Sequence, residues 1–438
     1  MKRKFYEQLL NWKNNNVLTP LMVIGARQVG KTYIINEFCQ KEFDDYIYIN
    51  LLDNKSIVSF FAEDIDTKDK IEKMKLYLNR QITENTVIFF DEIQESEQLI
   101  SALKYFCEND FPYKIVCAGS LLGVKLNRFK SSFPVGKVRI LKMYPMDFEE
   151  FLMALGEEMA IKQIKSCYKN NEQMPLPLHE KYLKYYRLYL CSGGMPSSVD
   201  NLIKNNLDIL NFDGEILNSI VISYLADMTK YVTNKFENAK IERIYNTIPK
   251  QLLKENKKFM YSSVDKDARK RDYYTSLEWL ISSNLVIPSY HVNKFEVPLK
   301  GYMDSDNFKL YLSDVGLLSS ILNISYNRLV LGDKLEYLGT IAENYVANEL
   351  VCNGFDLYYY SVNQVVEIDF LIETDNGVIP IEVKASDNVK AKSLNYYMGK
   401  YKPKYAIRIS TKNFGFDNNI KSVPLYATFC IKKQVLNS

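Results

Sequence analysis

The sequence predicts an α/β protein that begins with a parallel sheet, continues through a helical region, and ends in a second α/β part. Three observations carry this expectation. The apolar runs at 18–24, 46–51 (YIYINL), 86–90 (TVIFF) and 114–118 (KIVCA) have strand length and alternate with helical stretches. That alternation is the pattern of buried parallel strands. Residues 147–235 read as helical, interrupted at NEQMPLP (171–177) and CSGGMPSS (191–198). A helical stretch at about 335–352 then precedes strand-like runs at 357–362, 366–373 and 378–385. Between these regions, 240–320 reads as short helices followed by strands. Pro134, Pro145 and MYPMDFEEF suggest a chain reversal near 134–150.

Composition narrows the class. A chain of 438 residues exceeds one ordinary core, and 47% hydrophobic with 25% charged residues is globular composition. The net charge of +3 is too small to imply nucleic acid, so any such site must be a local patch. The seven cysteines show no C-x-x-C spacing, and His179 and His291 are the only histidines. Neither a disulfide framework nor a histidine-rich metal site follows. No apolar run is long enough to span a bilayer. The start, MKRKFYEQLLNWKNNN, lacks the apolar core of a secretory signal. The expectation is therefore a cytoplasmic location and no membrane partner.

Residues 25–32 read GARQVGKT, which fits G-x-x-x-x-G-K-S/T between an apolar strand and a helix. Gly25 and Gly30 let the loop wrap closely, so that the backbone N–H groups of Gly25, Ala26, Arg27, Gln28, Val29 and Gly30 face a polyphosphate. The helix that follows adds the partial positive charge of its N-terminus. Lys31 is the group for the β- and γ-phosphates, and Thr32 places a hydroxyl on Mg2+. The ligand is thus a nucleoside triphosphate, read as ATP. VIFFDEIQ (87–94) ends a buried strand with Asp91 and Glu92. Asp91 is the second candidate for Mg2+, and Glu92 the candidate that orients the attacking water. Ser120, after the strand ending CAG, is a candidate contact to the γ-phosphate; a simple turn serine is the rival reading. Arg128 and Arg139 are candidates for an arginine supplied to a neighbouring subunit, with a solvated arginine as the equal alternative for each, which leaves oligomerisation open.

Several motifs carry a resemblance. The Asp-Glu pair and the serine resemble AAA-type ATPases. GSLLGVKLNRF, SFPVGKVRILKMYPMDFEEFL, CSGGMPSSV, FKLYLSDVGLL and EIDFLI…IPIEVKAS resemble, in their order, a prokaryotic family of AAA-like ATP-binding proteins with a C-terminal domain of unknown function. The resemblance implies four parts: an ATPase at 1–146, a helical lid at 147–235, a winged-helix segment at 236–325 and a nuclease-like α/β domain at 326–438.

Within the third part, Lys257, Lys258, Lys266, Arg269, Lys270 and Arg271 cluster ahead of a helical stripe of Tyr273, Leu277, Leu280 and Ile281. In a winged helix, the second helix presents such residues to DNA, with a wing expected at 286–300. A solvated basic face is the alternative. In the fourth part, Asp369, Glu382 and Lys384 follow the pattern of PD-(D/E)XK nucleases. Glu382 and Lys384 are two apart and share a strand face, with Asp369 beside them across a hairpin turned at Asp375-Asn376-Gly377. Glu343 is the further candidate metal-binding acid, and Glu367 lies on the face of Asp369. Asp369, Glu382 and Glu343 would hold Mg2+, and Lys384 would position the attacking water.

The functional expectation is an Mg2+-dependent ATPase coupled to a nuclease-like domain acting on DNA. Its catalytic residues are Lys31, Glu92, Asp369, Glu382 and Lys384. One alternative is an ATP-dependent switch that binds nucleic acid or protein without cleavage. Another is an oligomeric remodeller of protein partners.

Overall fold

The computed structural model describes the chain except residues 16–18, 64, 84, 109–112, 121–135, 232–234, 334, 363–365, 376, 387–391 and 434–438. Two compact units result, one of Lys2–Tyr144 with Ser282–Asn284 and the other of Pro145–Ile281 with the chain from Leu285 onward.

In the first unit, helix α1 (Phe5–Lys13) precedes strand β1 (Leu21–Ile24) and helix α2 (Lys31–Glu42). Strand β2 (Asp45–Asn50), helices α3 (Lys55–Ala62) and α4 (Thr67–Leu78), and strand β3 (Thr86–Asp91) follow. Helix α5 (Glu97–Glu108) and strands β4 (Lys114–Gly119) and β5 (Arg139–Lys142) complete it. The sheet order is β2-β3-β4-β1-β5, and every pairing is parallel. All six residues of β3 are buried, as expected of a strand covered on both faces. On one face Met22, Ile49, Ile88, Phe90 and Cys117 pack with Phe61, Leu103 and Phe106 from the helices. Strand β5 is the element that the apolar runs do not announce. Its residues are half-buried or exposed, because it pairs only with β1 at the sheet edge. Where the sequence suggests a reversal, β5 therefore adds a fifth strand.

The second unit opens with helices α6 (Phe148–Ala154), α7 (Glu158–Asn170), α8 (Leu176–Ser192), α9 (Pro196–Lys204), α10 (Glu215–Tyr231) and α11 (Lys235–Leu252). Helix α12 (Lys270–Ser282), strands β6 (Val286–Val292) and β7 (Met303–Leu312), and helices α13 (Val315–Ile321), α14 (Tyr326–Leu331) and α15 (Leu338–Cys352) come next. The last elements are β8 (Leu357–Val362), β9 (Val366–Thr374), β10 (Gly377–Val383), helix α16 (Lys392–Tyr401), β11 (Ala406–Ser410), β12 (Gly415–Asp417) and β13 (Ile420–Pro424). They build one mixed sheet in the order β12-β13-β11-β10-β9-β8-β6-β7.

This sheet joins what the sequence separates. The boundary expected at 325/326 falls between β7 and β8, yet β6 pairs in parallel with β8 through Ser289↔Leu357 and His291↔Tyr359. Strand β6, which falls in the 286–300 stretch expected to form a wing, is thus a strand of the large sheet. Helix α15 is buried continuously from Thr340 to Leu350, so it carries no polar face for solvent. Its polar residues turn to protein instead: Asn344 Oδ1 accepts from Leu312 N at 2.9 Å, and Asn348 Nδ2 donates to Leu312 O at 2.8 Å.

Three of the sequence motifs meet in this unit. Asp314 caps α13 by accepting from Leu317 N (3.0 Å) and also accepts from Gly194 N (2.6 Å). Met146 N donates to Gly194 O at 2.7 Å. The space there admits no side chain, since a Cβ on Gly194 would lie 1.9 Å from Met146 O. Gly194→Ala is expected to destabilise the second unit by about 3 kcal/mol through overpacking of rigid backbone. Gly339→Ala, whose Cβ meets nothing within 4 Å, should be neutral or stabilising. Urea unfolding of both variants checks this.

Candidate functional site

Strand β1 runs straight into the loop of residues 25–32. A Cβ on Gly25 would lie 2.2 Å from Met143 O, so the loop packs directly on backbone there. Gly30 has φ 95°, a left-handed conformation that starts α2 without strain only as glycine. No side chain caps α2, so the N–H groups of its first turn have no local side-chain acceptor. That is the arrangement an anion requires.

Lys31 is 8% exposed and donates to Gly25 O (2.9 Å) and Ala26 O (2.7 Å). Its ammonium is therefore folded back over the loop. Burial pulls Lys31 down to about 8, against the upward pull of Glu92 and Asp91. Thr32 Oγ1 donates to Asp91 Oδ2 at 2.8 Å. This contact crosses from the start of α2 to the end of β3, which lies two strand spacings, ~10 Å, from β1. The hydroxyl and carboxylate that Mg2+ would need are thus already adjacent, and the donor set fits a nucleotide with its cation.

Glu92 sits at φ 53°, a strained left-handed conformation for a residue with a side chain. Its Oε2 accepts from Gln94 Nε2, and its backbone N donates to Asp91 Oδ1 at 3.0 Å. Ser120 is buried at the end of β4 and accepts from Arg27 Nε at 3.3 Å. Arg139 lies on β5 opposite Leu21, and Arg128 lies outside the described residues. Sequence reasoning missed Tyr48 and Gln94. Tyr48 OH donates to Asp91 Oδ2 at 3.1 Å, and burial together with Asp91 pushes the phenol up to about 12. The available signal was the position of Tyr48 near the end of β2, beside β3.

The second constellation is brought together, but not as an open metal centre. Asp369 Oδ2 accepts from Val383 N at 2.7 Å, which places it at the end of β10 next to Glu382. Lys384 follows the strand and pairs with Glu382 Oε1 at 3.0 Å. Gly377 takes φ 88° in the hairpin turn, whose Asn376 lies outside the described residues. Glu343 is 2% exposed, and both its oxygens are engaged. Lys309 Nζ reaches Oε1 at 3.0 Å, Tyr311 OH donates to the same oxygen, and Lys257 Nζ pairs with Oε2. Lys309 also pairs with Glu367 Oε1 at 2.6 Å. Burial alone would raise Glu343, but Lys257 and Lys309 outweigh it and hold the carboxyl below its usual range. Burial and the Glu343 charge push Asp369 up. Burial alone would lower Lys384; Asp369, Glu382 and Glu343 raise it instead.

The expected Mg2+ set of Glu343, Asp369 and Glu382 therefore does not fit. Among the described residues, no three of His, Cys, Asp and Glu are arranged to hold a metal ion. The physical reason is that ammonium groups already occupy Glu343. Lys309 was missed, although Lys309 and Tyr311 share one face of FKLYL by period two.

The basic segment also differs from its expectation. Lys257 turns to Glu343, Lys258 Nζ donates to Asn307 Oδ1 at 3.3 Å, and Lys270 pairs with Asp306. Lys266, Arg269 and Arg271 are exposed.

Comparison with known proteins agrees with the first unit. A family model described as an AAA domain matches residues 18–152. The first unit has an AAA-type P-loop ATPase fold. Two further models, each described as a domain of unknown function, match 183–328 (DUF8612) and 338–428 (DUF4143). An uncharacterised protein of Methanocaldococcus jannaschii is 26% identical over 393 residues, covering 86% of this chain and 77% of that one. An uncharacterised protein of Haemophilus influenzae is 22% identical over 409 residues, covering 87% and 86%. Among solved structures, the Walker-type ATPase of Pyrococcus abyssi is 13% identical with a TM-score of 0.44, covering 73% of this chain and 95% of that one. At that score the assignment rests on the sheet order and the loop themselves. The AAA unit supports ATP binding and hydrolysis. No helix among the described residues is long and apolar enough to cross a membrane.

The buried Lys31 gives a pH dependence. Bound phosphates favour the charged ammonium, so ATP binding above pH ~8 must take up a proton. ATP affinity is expected to be flat from pH ~7 to ~8 and then to fall about tenfold per unit. Calorimetric titration in buffers of different ionisation heat checks both the slope and the proton uptake.

Proposed function

We propose that this chain is an Mg2+-dependent ATPase whose nucleotide state switches the second unit's hold on a nucleic-acid or protein partner, without strand cleavage. The observation that carries the ATPase reading is the Thr32–Asp91 hydrogen bond beside the buried Lys31. In this reading Thr32 and Asp91 hold the cation, Lys31 binds the β- and γ-phosphates, and Glu92 orients the water. Gln94 Nε2 donates to Glu92 Oε2 and so fixes the orientation of that carboxylate. The reading without cleavage is supported by Lys257 and Lys309 occupying Glu343. Exposed Lys266, Arg269 and Arg271 are the candidate contacts to phosphates of DNA, and such contacts weaken steeply with salt.

A second reading, a Mg2+-dependent nuclease, is favoured by the placement of Asp369 and Lys384 around Glu382. One experiment separates the two. ATP hydrolysis and the integrity of single- and double-stranded DNA are followed with Mg2+, with and without ATP. Wild type is compared with Lys31→Ala and Lys384→Ala. Hydrolysis lost in Lys31→Ala with DNA intact throughout supports the switch. Cleavage by wild type that disappears in Lys384→Ala replaces it with the nuclease.

A further inference from the structure

The loop of residues 25–32 carries a second cation besides Lys31. Arg27 is half-buried, and its Nε donates to Ser120 Oγ at 3.3 Å. The contact joins the loop to the end of β4. Strands β1 and β4 are neighbours, with Ile24 level with Gly119, so the loop and Ser120 leave the sheet side by side. The side chain of Arg27 is thus turned toward the buried Ser120, along the edge where the strands end. That edge is where parallel sheets bind their ligands.

Arg27 also stands near Lys31. Burial is the main cause that pulls the Lys31 ammonium down, and the Arg27 charge adds to it, against Glu92 and Asp91. Two cations of one loop are therefore close enough to repel, and an anion beside both relieves that repulsion. Their reach differs. Lys31 folds back over Gly25 O and Ala26 O, whereas Arg27 extends to the end of the neighbouring strand. Asp91 and Glu92 stand at the end of β3, on the other side of β4. A phosphate that reacts with the water held by Glu92 lies toward β3 and β4, which is the side Arg27 faces.

We propose that the guanidinium of Arg27 binds the γ-phosphate of ATP and stabilises it during hydrolysis, so that the arginine of this site comes from the same chain. The proposal rests on the ATPase reading and names a further group of that site. In hydrolysis the water oxygen bonds to the γ-phosphorus while the bond from that phosphorus to the β,γ-bridging oxygen breaks. The electron pair leaves with ADP. One proton of the water stays on the released phosphate and the other passes to solvent. Arg27 exchanges no proton, because its guanidinium keeps its charge throughout. Its planar fork offers donors to the γ-oxygens while negative charge shifts among them.

The test measures binding of ADP and of the non-hydrolysable β,γ-imido analogue of ATP by calorimetry, together with ATP hydrolysis, on the full chain. Wild type is compared with Arg27→Gln and Arg27→Lys. Arg27→Gln is expected to bind the triphosphate analogue about tenfold more weakly, the worth of one charge-assisted hydrogen bond, and ADP as before. Its kcat is expected to fall about 100-fold or more. Arg27→Lys keeps a charge without the fork, so it should recover part of the triphosphate preference and little of the kcat. Mixing Arg27→Gln with Lys31→Ala should restore no hydrolysis, because both groups act on one nucleotide in one chain. Three results overturn the proposal. One is a triphosphate preference and a kcat that survive Arg27→Gln. Another is an equal loss of both nucleotides in both variants, which assigns the side chain to holding the loop. The third is hydrolysis recovered on mixing, which places the arginine in a neighbouring chain. A wild type that binds neither nucleotide removes the ATPase reading itself, and this proposal with it.

Discussion

Lys31→Ala is expected to reduce the ATP hydrolysis rate by roughly 100-fold or more, the range seen when a preorganised charge at a transferring phosphoryl group is removed. The ammonium lies in a buried loop where few waters screen it, so its field at the phosphates is strong. The same substitution deletes the donor that ties Gly25 O and Ala26 O together. Part of the loss will therefore appear as weaker ATP binding. Lys31→Met separates the two effects, because it refills the volume without the charge. Steady-state hydrolysis with equilibrium ATP binding distinguishes a fall in kcat from a rise in KM. A hydrolysis rate that survives Lys31→Ala would remove the phosphate-binding role from this loop.

The second large effect is expected in the other unit. Lys309→Ala leaves Glu343 and Glu367 without the ammonium that bridges them, and the Glu343 end of that bridge is closed to water. Removing one partner of a buried pair costs about 3–5 kcal/mol, because the remaining charge is stranded. Here the loss is shared, since Lys257 and Tyr311 stay on Glu343. Lys309→Met combined with Glu343→Gln should recover much of the stability, as the pair is removed together. Thermal unfolding of single and double variants gives the coupling. A Lys309→Ala protein as stable as wild type would show that the pair contributes nothing net.

The first unit was legible in the sequence because its signals are local. The strand LMVI, the loop GARQVGKT and the helix that follows are contiguous, and β3 is apolar on both faces up to Asp91. Strand β5 was not legible, because an edge strand needs no apolar run. The second unit was harder because its decisive pairings are long-range. Nothing near Ser289 or Leu357 announces that they lie side by side. Glu367, Asp369 and Glu382 were legible by strand periodicity, whereas Lys257 and Lys309 arrive from segments far away in the chain. A lysine inside an apolar strand such as FKLYL is itself a signal that a buried carboxylate waits for it.

The parallel pairing of β6 with β8 also governs where the chain tolerates being cut. A fragment starting at 326 would keep the acids but lose β6 and β7. Strand β8 would then become a raw edge, a template for unwanted pairing between copies. It would also lose Lys309 and Tyr311, leaving Glu343 beside an opened flank. A fragment ending at 325 would keep β6 and β7 as a lone hairpin, which is marginal in water. A cut between 144 and 145 leaves each sheet with all its strands. Fragments divided there are the ones to express separately; those divided at 325 should be recovered largely as aggregates.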